Sequence, residues 1–165
     1  MSGSARSGIG YDSHRFAEGR ALILGGVEVP DAPLGLGGHS DADVLTHAVM
    51  DALLGAAALG DIGAHFPDTD ERWRDADSIA LLGEVRRLLA EAGWAVLNVD
   101  ATVICERPRL DPHREAMRER LAQGAGLEPE AVGVKFTTNE GMGFVGRGEG
   151  VAALAVASVR SLARA

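Results

Sequence analysis

Residues 39–54 constrain the fold more than any other stretch, because they combine the pattern of a buried helix with a line of ionisable side chains. Six apolar residues recur there at the helical spacing of a buried face: Val44, Leu45, Ala48, Val49, Ala52 and Leu53. Asp43, His47 and Asp51 are spaced four residues apart, so they form a second line along the same helix. Ionisable groups beside so much apolar surface are an unusual way to build a core, so this helix is a candidate wall of a functional site.

The same sequence predicts where this helix begins and ends. Ser40 is suited to the N-cap, with Asp43 three residues later in an arrangement like a capping box. Gly60 predicts an end near residues 59–60. His39, just before the cap, would lie across the helix mouth, where free backbone N–H groups favour an anion.

The composition is that of an ordinary globular domain, and it argues against two classes of partner. With 165 residues, of which 46% are hydrophobic and 24% charged, the chain can form one domain with a substantial core. A net charge of −8 argues against nucleic acid and anionic membranes as partners. No apolar run approaches the roughly 20 residues that span a bilayer. We expect residues 1–7, which lack the apolar core of a signal peptide, to be a disordered lead-in to a single domain over residues 8–165.

The remaining patterns predict an α+β domain in which a mixed β-sheet is packed on one side by helices. We expect a hairpin over residues 21–29 with its turn at a glycine pair, and a glycine-rich loop over 139–150. The other predicted elements are strands over 9–16, 94–106, 131–138 and 151–160, with strand preferred to helix for the last, and helices over 77–92 and 111–123.

The first candidate site is a metal centre formed by Asp12, His14 and His47. Two residues apart on a strand, Asp12 and His14 share one face, and a histidine from the helix could complete a set of three ligands. Three protein ligands with one open position are typical of catalytic zinc. The spacing alone leaves open the alternative that these are ordinary core and surface residues.

The second candidate site is the segment 135–140 (KFTTNE) with the glycine-rich run behind it. Hydroxyls, a carboxylate and exposed backbone N–H groups could bind a diphosphate together with a divalent ion. The run is neither a Walker motif nor a Rossmann fingerprint. In isolation, the segment is better explained as a solvent-exposed loop.

The third candidate is the predicted strand exit at residues 105–110 (CERPRL). Arg107 and Arg109 could face either phosphate or solvent. Cys105, the only cysteine, has no basic neighbour on its strand face, so we predict a buried, inert thiol. A single cysteine also excludes an internal disulfide and fits a reducing compartment, so we predict a cytoplasmic protein.

Taken together, these segments resemble the 2-C-methyl-D-erythritol 2,4-cyclodiphosphate synthase family of the non-mevalonate isoprenoid pathway. The resemblance extends over residues 8–157, nearly the whole chain. Six ordered blocks carry it: residues 10–16 (GYDSHRF), 39–43 with His47 (HSDAD), 51–56 (DALLGA), 59–63 (LGDIG), 66–70 (FPDTD) and 143–150 (GFVGRGEG).

The resemblance implies a lyase reaction on a cytidine diphosphate-linked substrate, 4-diphosphocytidyl-2-C-methyl-D-erythritol 2-phosphate. The 2-phosphate attacks the β-phosphorus, CMP leaves and 2-C-methyl-D-erythritol 2,4-cyclodiphosphate forms. It implies one Zn²⁺ per subunit on Asp12, His14 and His47, and a second divalent ion, Mg²⁺ or Mn²⁺, on Glu140. His39 and Thr138 match the positions that stabilise the transition state in this family.

The resemblance also implies which residues contact the substrate. Residues 66–70 would line the erythritol side, while 105–111 and 136–138 would enclose cytosine. The full set is Asp12, Ser13, His14, His39, Ser40, Asp61, Ile62, Gly63, Phe66, Pro67, Asp68, Thr69, Asp70, Cys105, Pro108, Arg109, Phe136, Thr137, Thr138, Asn139, Glu140, Phe144 and Arg147.

By the same resemblance the protein is a homotrimer with its sites between subunits. The C-terminal segment would line the trimer core, near a cavity that can hold an isoprenoid diphosphate. The chain departs from the family pattern beside the nucleotide, where Glu106 replaces a usual Gln and Arg109 a usual Lys. A carboxylate at position 106 could weaken a contact to cytidine or diphosphate, and Arg for Lys keeps the charge but changes its geometry.

Two other functions fit part of the pattern. A zinc-dependent phosphohydrolase could share the Asp-x-His pair and a phosphate loop, but it would use a metal-bound water and release a linear phosphate. A non-catalytic binding protein for a nucleotide or an isoprenoid diphosphate could keep the fold without turnover. The intact set of Asp12, His14, His47, Glu140, His39 and Thr138 argues against such a decoy.

Overall fold

A computed structural model describes residues 4–162, which form a mixed β-sheet with helices on one face. Within this range the strands are β1 (Ala5–Ala17), β2 (Ile23–Leu24), β3 (Val27–Glu28), β4 (Gly35–Leu36), β5 (Trp94–Ile104), β6 (Val132–Thr137) and β7 (Gly150–Ser161). The α-helices are α1 (Val44–Ala56), α2 (Ile62–His65), α3 (Ser78–Glu91), α4 (Arg114–Ala125) and α5 (Gly143–Gly146), with 3₁₀ turns at Glu71–Trp73, Asp111–His113 and Pro129–Ala131.

The main sheet has the strand order β4-β1-β7-β5-β6, and β2 and β3 form a separate hairpin. β5 and β6 are parallel, while the other neighbours in the sheet are antiparallel, so the predicted mixed sheet is confirmed. α1 packs across β1, β7 and β5, and α3 and α4 pack beside it. No helix among residues 4–162 is long and apolar enough to cross a membrane.

The close packing of α1 on β1 depends on two glycines in the strand. A Cβ atom at Gly8 would collide with backbone atoms of Ala52 and Ala56, and one at Gly10 would collide with the backbone of Ala48. Because neither residue has a side chain, the strand lies directly against the helix. The next inward-facing residues of β1, Asp12 and His14, are therefore held beside α1.

The start and end of α1 differ from the prediction. Asp43 is the N-cap, and its carboxylate accepts hydrogen bonds from the backbone N–H (3.0 Å) and hydroxyl (2.7 Å) of Thr46. Ser40 cannot cap this helix because Ala42, which lies between it and the helix, has a left-handed backbone with φ of 56°. The helix ends at Ala56, four residues before Gly60, since Ala58 is already left-handed with φ of 58°.

Most other elements lie where the sequence predicted them, with shifted ends. The hairpin turns at Gly25-Gly26, α3 is capped by Asp77, and the C-terminal segment is a strand, as preferred. The helix predicted from residue 111 begins as a 3₁₀ turn, and α4 itself starts at Arg114.

The predicted N-terminal disorder is wrong from Ala5 onward, because residues 5–7 pair with Ser158–Arg160 of β7. The rest of that segment before Ser4, and residues 163–165 at the other end, lie outside the described residues.

Candidate metal centre and active site

Asp12, His14 and His47 meet at the surface of β1 that faces α1. Asp12 Oδ2 lies 2.9 Å from His14 Nε2 and 3.0 Å from His47 Nδ1, and the two imidazole nitrogens are 3.3 Å apart. Each residue offers one ligand atom, and all three lie within 4.8 Å of one another. Among residues 4–162, this is the one group of three or more histidine, cysteine or acidic side chains arranged so that it could hold a metal ion.

The donor atoms fit a divalent metal in both chemistry and spacing. Ligands about 2.0 to 2.1 Å from a tetrahedral zinc ion lie about 3.3 Å from one another. The three measured separations of 2.9 to 3.3 Å are close to this edge length. All three residues line the neighbouring cavity, and two imidazoles with one carboxylate would hold a metal ion with three protein ligands, the number typical of a catalytic rather than a structural site.

The protonation of the cluster follows from its burial and its internal hydrogen bonds. Burial alone would raise the pKa of Asp12, but hydrogen bonds from His14 and His47 outweigh it and lower that pKa to about 2. Burial opposes protonation of His14, yet the hydrogen bond and charge of Asp12 raise its pKa above the ordinary value. At a pH below that raised pKa, a metal ion that binds here displaces a proton from His14.

This requirement predicts a pH dependence of metal affinity. A metal ion binds only the neutral imidazole, so metal affinity should fall about ten-fold for each pH unit below the raised pKa of His14. Because that pKa is raised, the fall should begin at a higher pH than for an ordinary histidine. Competition with a chromophoric chelator between pH 8 and pH 6 measures this, and a constant affinity over that range would contradict it.

The histidine ligands are oriented by hydrogen bonds on their far sides. His14 Nδ1 lies 2.7 Å from the carbonyl oxygen of Gly37, an acceptor that fixes the proton on Nδ1 and leaves Nε2 for the metal. His47 Nε2 lies 3.1 Å from the hydroxyls of both Ser40 and Ser78. His47 is 8% exposed and held by α1, so its ring has little freedom to move.

A cavity of about 480 Å³ opens beside the cluster and contains many of the predicted substrate contacts. Trp73 packs edge-on against Phe66, with ring centroids 5.2 Å apart, and closes one side. The predicted residues that line the cavity are Asp12, His14, His39, Ser40, His47, Ile62, Gly63, Phe66, Pro67 and Asp68. The sequence did not identify four others, Gly38, Met50, Trp73 and Leu81.

Other predicted contacts have structural roles near this cavity. The Asp61 carboxylate accepts the backbone N–H of Ala64 at 3.0 Å and caps α2, while Asp70 caps the following 3₁₀ turn and pairs with Arg72. Ser13 lies between Asp12 and His14 on β1, so its side chain is on the opposite face of the sheet. The structure does not place Ser13 or Thr69 in the cavity wall.

The acidic residues on either side of His47 in the predicted charged line, Asp43 and Asp51, have clear partners. The Asp43 carboxylate also accepts the backbone N–H groups of Gly25 (2.9 Å) and Gly26 (2.7 Å), so it ties the β2–β3 hairpin to the helix start. Asp51 accepts the N–H of Ile62 at 2.8 Å, and burial raises its pKa. The charged line seen in the sequence therefore contains one member of the candidate metal cluster, His47, between two structural carboxylates.

The loop that carries His39 is held by a residue the sequence did not reveal. The Arg20 guanidinium donates to the carbonyl oxygens of Gly38 (2.6 Å) and Ser40 (2.5 Å), the residues on either side of His39. His39 lines the cavity, but it lies four residues before the N-cap Asp43 rather than just before the cap as the sequence suggested.

Several other predicted site residues lie outside the cavity of the metal cluster. Thr138 and Glu140 are exposed on the loop after β6, and neither lines the cavity of the metal cluster. The backbone N–H of Glu140 donates to the Thr138 hydroxyl at 3.2 Å, and Glu140 is left-handed with φ of 51°. Pro108, Arg109 and Arg147 line a second cavity of about 920 Å³, together with Phe16, Pro33, Leu34, Glu106, Arg107, Gly146 and Gly148.

Two residues of this second region bear on the sequence predictions. Glu106 lines this cavity, but its carboxylate is partly engaged. Its Oε1 accepts the backbone N–H groups of Asn139 (2.7 Å) and Gly141 (3.5 Å). Cys105 is 7% exposed, its thiol donates to the Arg107 carbonyl at 2.9 Å, and burial raises its pKa to about 11. The prediction of a buried thiol is confirmed, and its raised pKa disfavours the reactive thiolate.

Comparison with known proteins identifies relatives along nearly the whole chain. The model of the YgbB family matches residues 5–160. A curated 2-C-methyl-D-erythritol 2,4-cyclodiphosphate synthase from Salinibacter ruber is 62% identical over 156 residues, which cover 94% of this chain and 99% of the relative.

Solved structures agree with this result. A 2C-methyl-D-erythritol-2,4-cyclodiphosphate synthase described as a form with bound CDP superimposes with a TM-score of 0.84 at 42% identity, covering 93% of this chain and 99% of the other. The bifunctional IspDF from Campylobacter jejuni gives a TM-score of 0.92 at 40% identity over 98% of this chain. This chain spans 43% of the length of that bifunctional protein.

Proposed function

The chain belongs to the YgbB family, and on that premise we propose that it is a 2-C-methyl-D-erythritol 2,4-cyclodiphosphate synthase of the non-mevalonate isoprenoid pathway. The observation that carries the proposal is the cluster of Asp12, His14 and His47, which opens onto a cavity in a chain 62% identical to a curated synthase. The substrate is 4-diphosphocytidyl-2-C-methyl-D-erythritol 2-phosphate, and the structure of a relative with bound CDP supports a cytidine-linked ligand.

The reaction is an internal phosphoryl transfer. An oxygen of the 2-phosphate forms a bond to the β-phosphorus, the bond between the β-phosphorus and the bridging oxygen breaks, and CMP leaves with that oxygen. No water and no protein nucleophile is consumed. The protein therefore needs to hold the two phosphates in line and to stabilise the charge that develops on their oxygens.

The metal centre is proposed to hold one Zn²⁺ per subunit. Two imidazoles and a carboxylate with an open position are a donor set typical of catalytic zinc. When bound there, zinc supplies Lewis-acid polarisation of a phosphate oxygen. Asp12, His14 and His47 would hold the ion, and Gly37 would keep His14 in the required tautomer.

His39, Ser40 and Thr138 are proposed to act on the substrate directly. His39 and Ser40 line the cavity at the mouth of α1, where the carbonyls around His39 are fixed by Arg20. The Ser40 hydroxyl oxygen accepts the backbone N–H of Ala42 at 3.3 Å, and its own proton is available to a phosphate oxygen. Glu140 is proposed to bind a second divalent ion, Mg²⁺ or Mn²⁺, that neutralises the diphosphate.

A homotrimer with sites between subunits would bring the metal cluster of one chain near the loop after β6 of another. Thr138 and Glu140 do not line the cavity of their own chain's metal cluster, so we propose that they serve the cavity of a neighbouring copy. The sheet face away from α1 supports association, because it exposes Ile9 (70%) and Val156 (47%). An isoprenoid diphosphate in a central cavity and a cytoplasmic location stay predictions.

An oxygen-labelling experiment tests the proposed reaction against hydrolysis. In water enriched in ¹⁸O, the cyclisation should release CMP and a cyclic product, neither of which contains label. A zinc phosphohydrolase would place one labelled oxygen in a phosphate product. Mass spectrometry of the products separates the two outcomes, and incorporation of label would refute the synthase assignment.

Glu140→Gln tests the role of the second ion. We expect this variant to keep its zinc and to lose most of its turnover at limiting magnesium, because the neutral amide binds a hard cation less well than the carboxylate does. Activity is measured against magnesium concentration, with Glu128→Gln, in the turn before the 3₁₀ segment Pro129–Ala131, as the matched control. An unchanged magnesium dependence in Glu140→Gln would remove the second-ion role.

A further inference from the structure

We propose that Asp41 and Ser78 form a positioning pair for the metal ligand His47; this inference rests on the proposed metal site. Asp41 lies in the loop before α1, and Ser78 is the first residue of α3. The two residues are 37 positions apart in the chain. The Ser78 hydroxyl is hydrogen-bonded to Asp41 Oδ1, and the Ser78 backbone N–H donates to Asp41 Oδ2 at 2.9 Å. The same hydroxyl lies 3.1 Å from His47 Nε2.

The direction of these hydrogen bonds follows from the number of protons available. A carboxylate can only accept, so the single hydroxyl proton of Ser78 is given to Asp41. The Ser78 oxygen then has only lone pairs left to offer to His47, and it can only accept from Nε2. The pair therefore stabilises the tautomer of His47 that carries its proton on Nε2.

That tautomer is the one that can bind the metal. With the proton on Nε2, the lone pair of Nδ1 points towards Asp12 Oδ2 at 3.0 Å and His14 Nε2 at 3.3 Å, where the ion would lie. Without a metal, Asp12 competes for the proton because its carboxylate also faces Nδ1. The Asp41–Ser78 pair favours the proton on Nε2 instead. Carboxylates that are hydrogen-bonded to the non-ligating nitrogen of metal-bound histidines have the same effect.

Burial makes this pair effective. Ser78 is 0% exposed, and His47 is 8% exposed, so water does not replace the Ser78 hydroxyl as an acceptor. The Ser40 hydroxyl also lies 3.1 Å from His47 Nε2, but within residues 4–162 it is not hydrogen-bonded to a carboxylate that takes its proton, so it does not set the direction as Ser78 does. Asp41 also fixes the position of Ser78, since its two oxygens hold both the hydroxyl and the backbone N–H at the start of α3. α3 is thereby connected to the metal centre, although none of its residues is a ligand.

Ser78→Ala removes the hydroxyl and leaves the backbone N–H that binds Asp41. We expect its zinc dissociation constant, measured by competition with a chromophoric chelator, to rise about 10- to 100-fold. Asp41→Asn provides a second variant of nearly the same shape. Its amide can donate to the Ser78 oxygen, which frees the hydroxyl proton to bind His47 and favours the wrong tautomer, so its zinc affinity should also fall.

Thr46→Val is a matched control, because it removes a hydroxyl that is as buried as that of Ser78 and that also donates to a carboxylate. Thr46, the residue before His47, is 0% exposed, and its hydroxyl donates to Asp43 at 2.7 Å rather than to a ring nitrogen of His47. Urea unfolding of the metal-free proteins should show that both Thr46→Val and Ser78→Ala lower stability. Only Ser78→Ala and Asp41→Asn should weaken zinc binding.

The result that would overturn the inference is a zinc affinity within about two-fold of wild type for both Ser78→Ala and Asp41→Asn. An equal loss of affinity in Thr46→Val would also overturn it, because the effect would then be a general loss of packing. The wild-type protein separates this outcome from failure of the proposed function. If wild type binds no zinc, the metal site itself is refuted; if it binds zinc and the variants bind equally, only the positioning role is lost.

Discussion

His47→Ala is expected to lose bound zinc and to reduce turnover by about a thousand-fold or more while the chain stays folded. The variant removes one of three protein ligands, and the two that remain are both on β1. Loss of the metal removes several kcal/mol of charge stabilisation from the transition state, and each 1.36 kcal/mol is a factor of about ten in rate. Folding should survive because the apolar face of α1 that contacts β1 and β7 is unchanged.

Zinc content by atomic absorption and CMP release under saturating substrate measure the two effects. Circular dichroism checks that the helices are intact. His113→Ala is the control, since His113 lies in the 3₁₀ turn before α4 and is not part of the metal cluster. One bound zinc and full activity in His47→Ala would remove the metal assignment.

Gly10→Ala is expected to lower the free energy of unfolding by about 3 kcal/mol, the upper part of the usual range for an added buried methyl group. The new Cβ would collide with the carbonyl oxygen of Ala48 and the backbone nitrogen of Ala52, which cannot rotate away as a side chain can. β1 and α1 must then separate. For a chain of 165 residues the corresponding fall in melting temperature is roughly 6 to 12 °C.

Gly10→Ala should also weaken zinc binding, because the separation moves Asp12 and His14 away from His47. Gly83→Ala, within α3, is the matched control: no other part of the fold lies within 4 Å of the added methyl group, so it should stabilise by about 0.5 to 1 kcal/mol. Urea unfolding in the presence of a chelator compares the metal-free proteins. A Gly10→Ala protein as stable as wild type would show that the strand and the helix do not require this close approach.

The sequence predicted the elements of the fold better than their ends. The apolar period of α1 is determined locally, and the structure contains that helix. Its cap is not determined locally, because Ser40, Asp41 and Asp43 are all suitable N-cap residues. The choice of Asp43 depends on the N–H groups of Gly25 and Gly26 from the hairpin, which no local pattern reveals.

The sequence also predicted only part of the site, because some of its contacts join segments that are distant in the chain. The sequence pattern itself grouped Asp12, His14 and His47, and the resemblance to a known family added cavity residues that the structure brings together. Arg20 and the Asp41–Ser78 pair were not predicted, because their roles depend on contacts between distant segments. In the sequence, Ser78 looks like an ordinary residue at the start of a helix.

Phosphorus NMR of the purified protein with zinc, magnesium and 4-diphosphocytidyl-2-C-methyl-D-erythritol 2-phosphate tests the central claim most directly. We expect the substrate resonances to be replaced by two mutually coupled resonances of a cyclic diphosphate and one resonance of CMP, and we expect neither product from the metal-stripped protein. Release of inorganic or linear phosphate, or the same turnover without metal, would contradict the account.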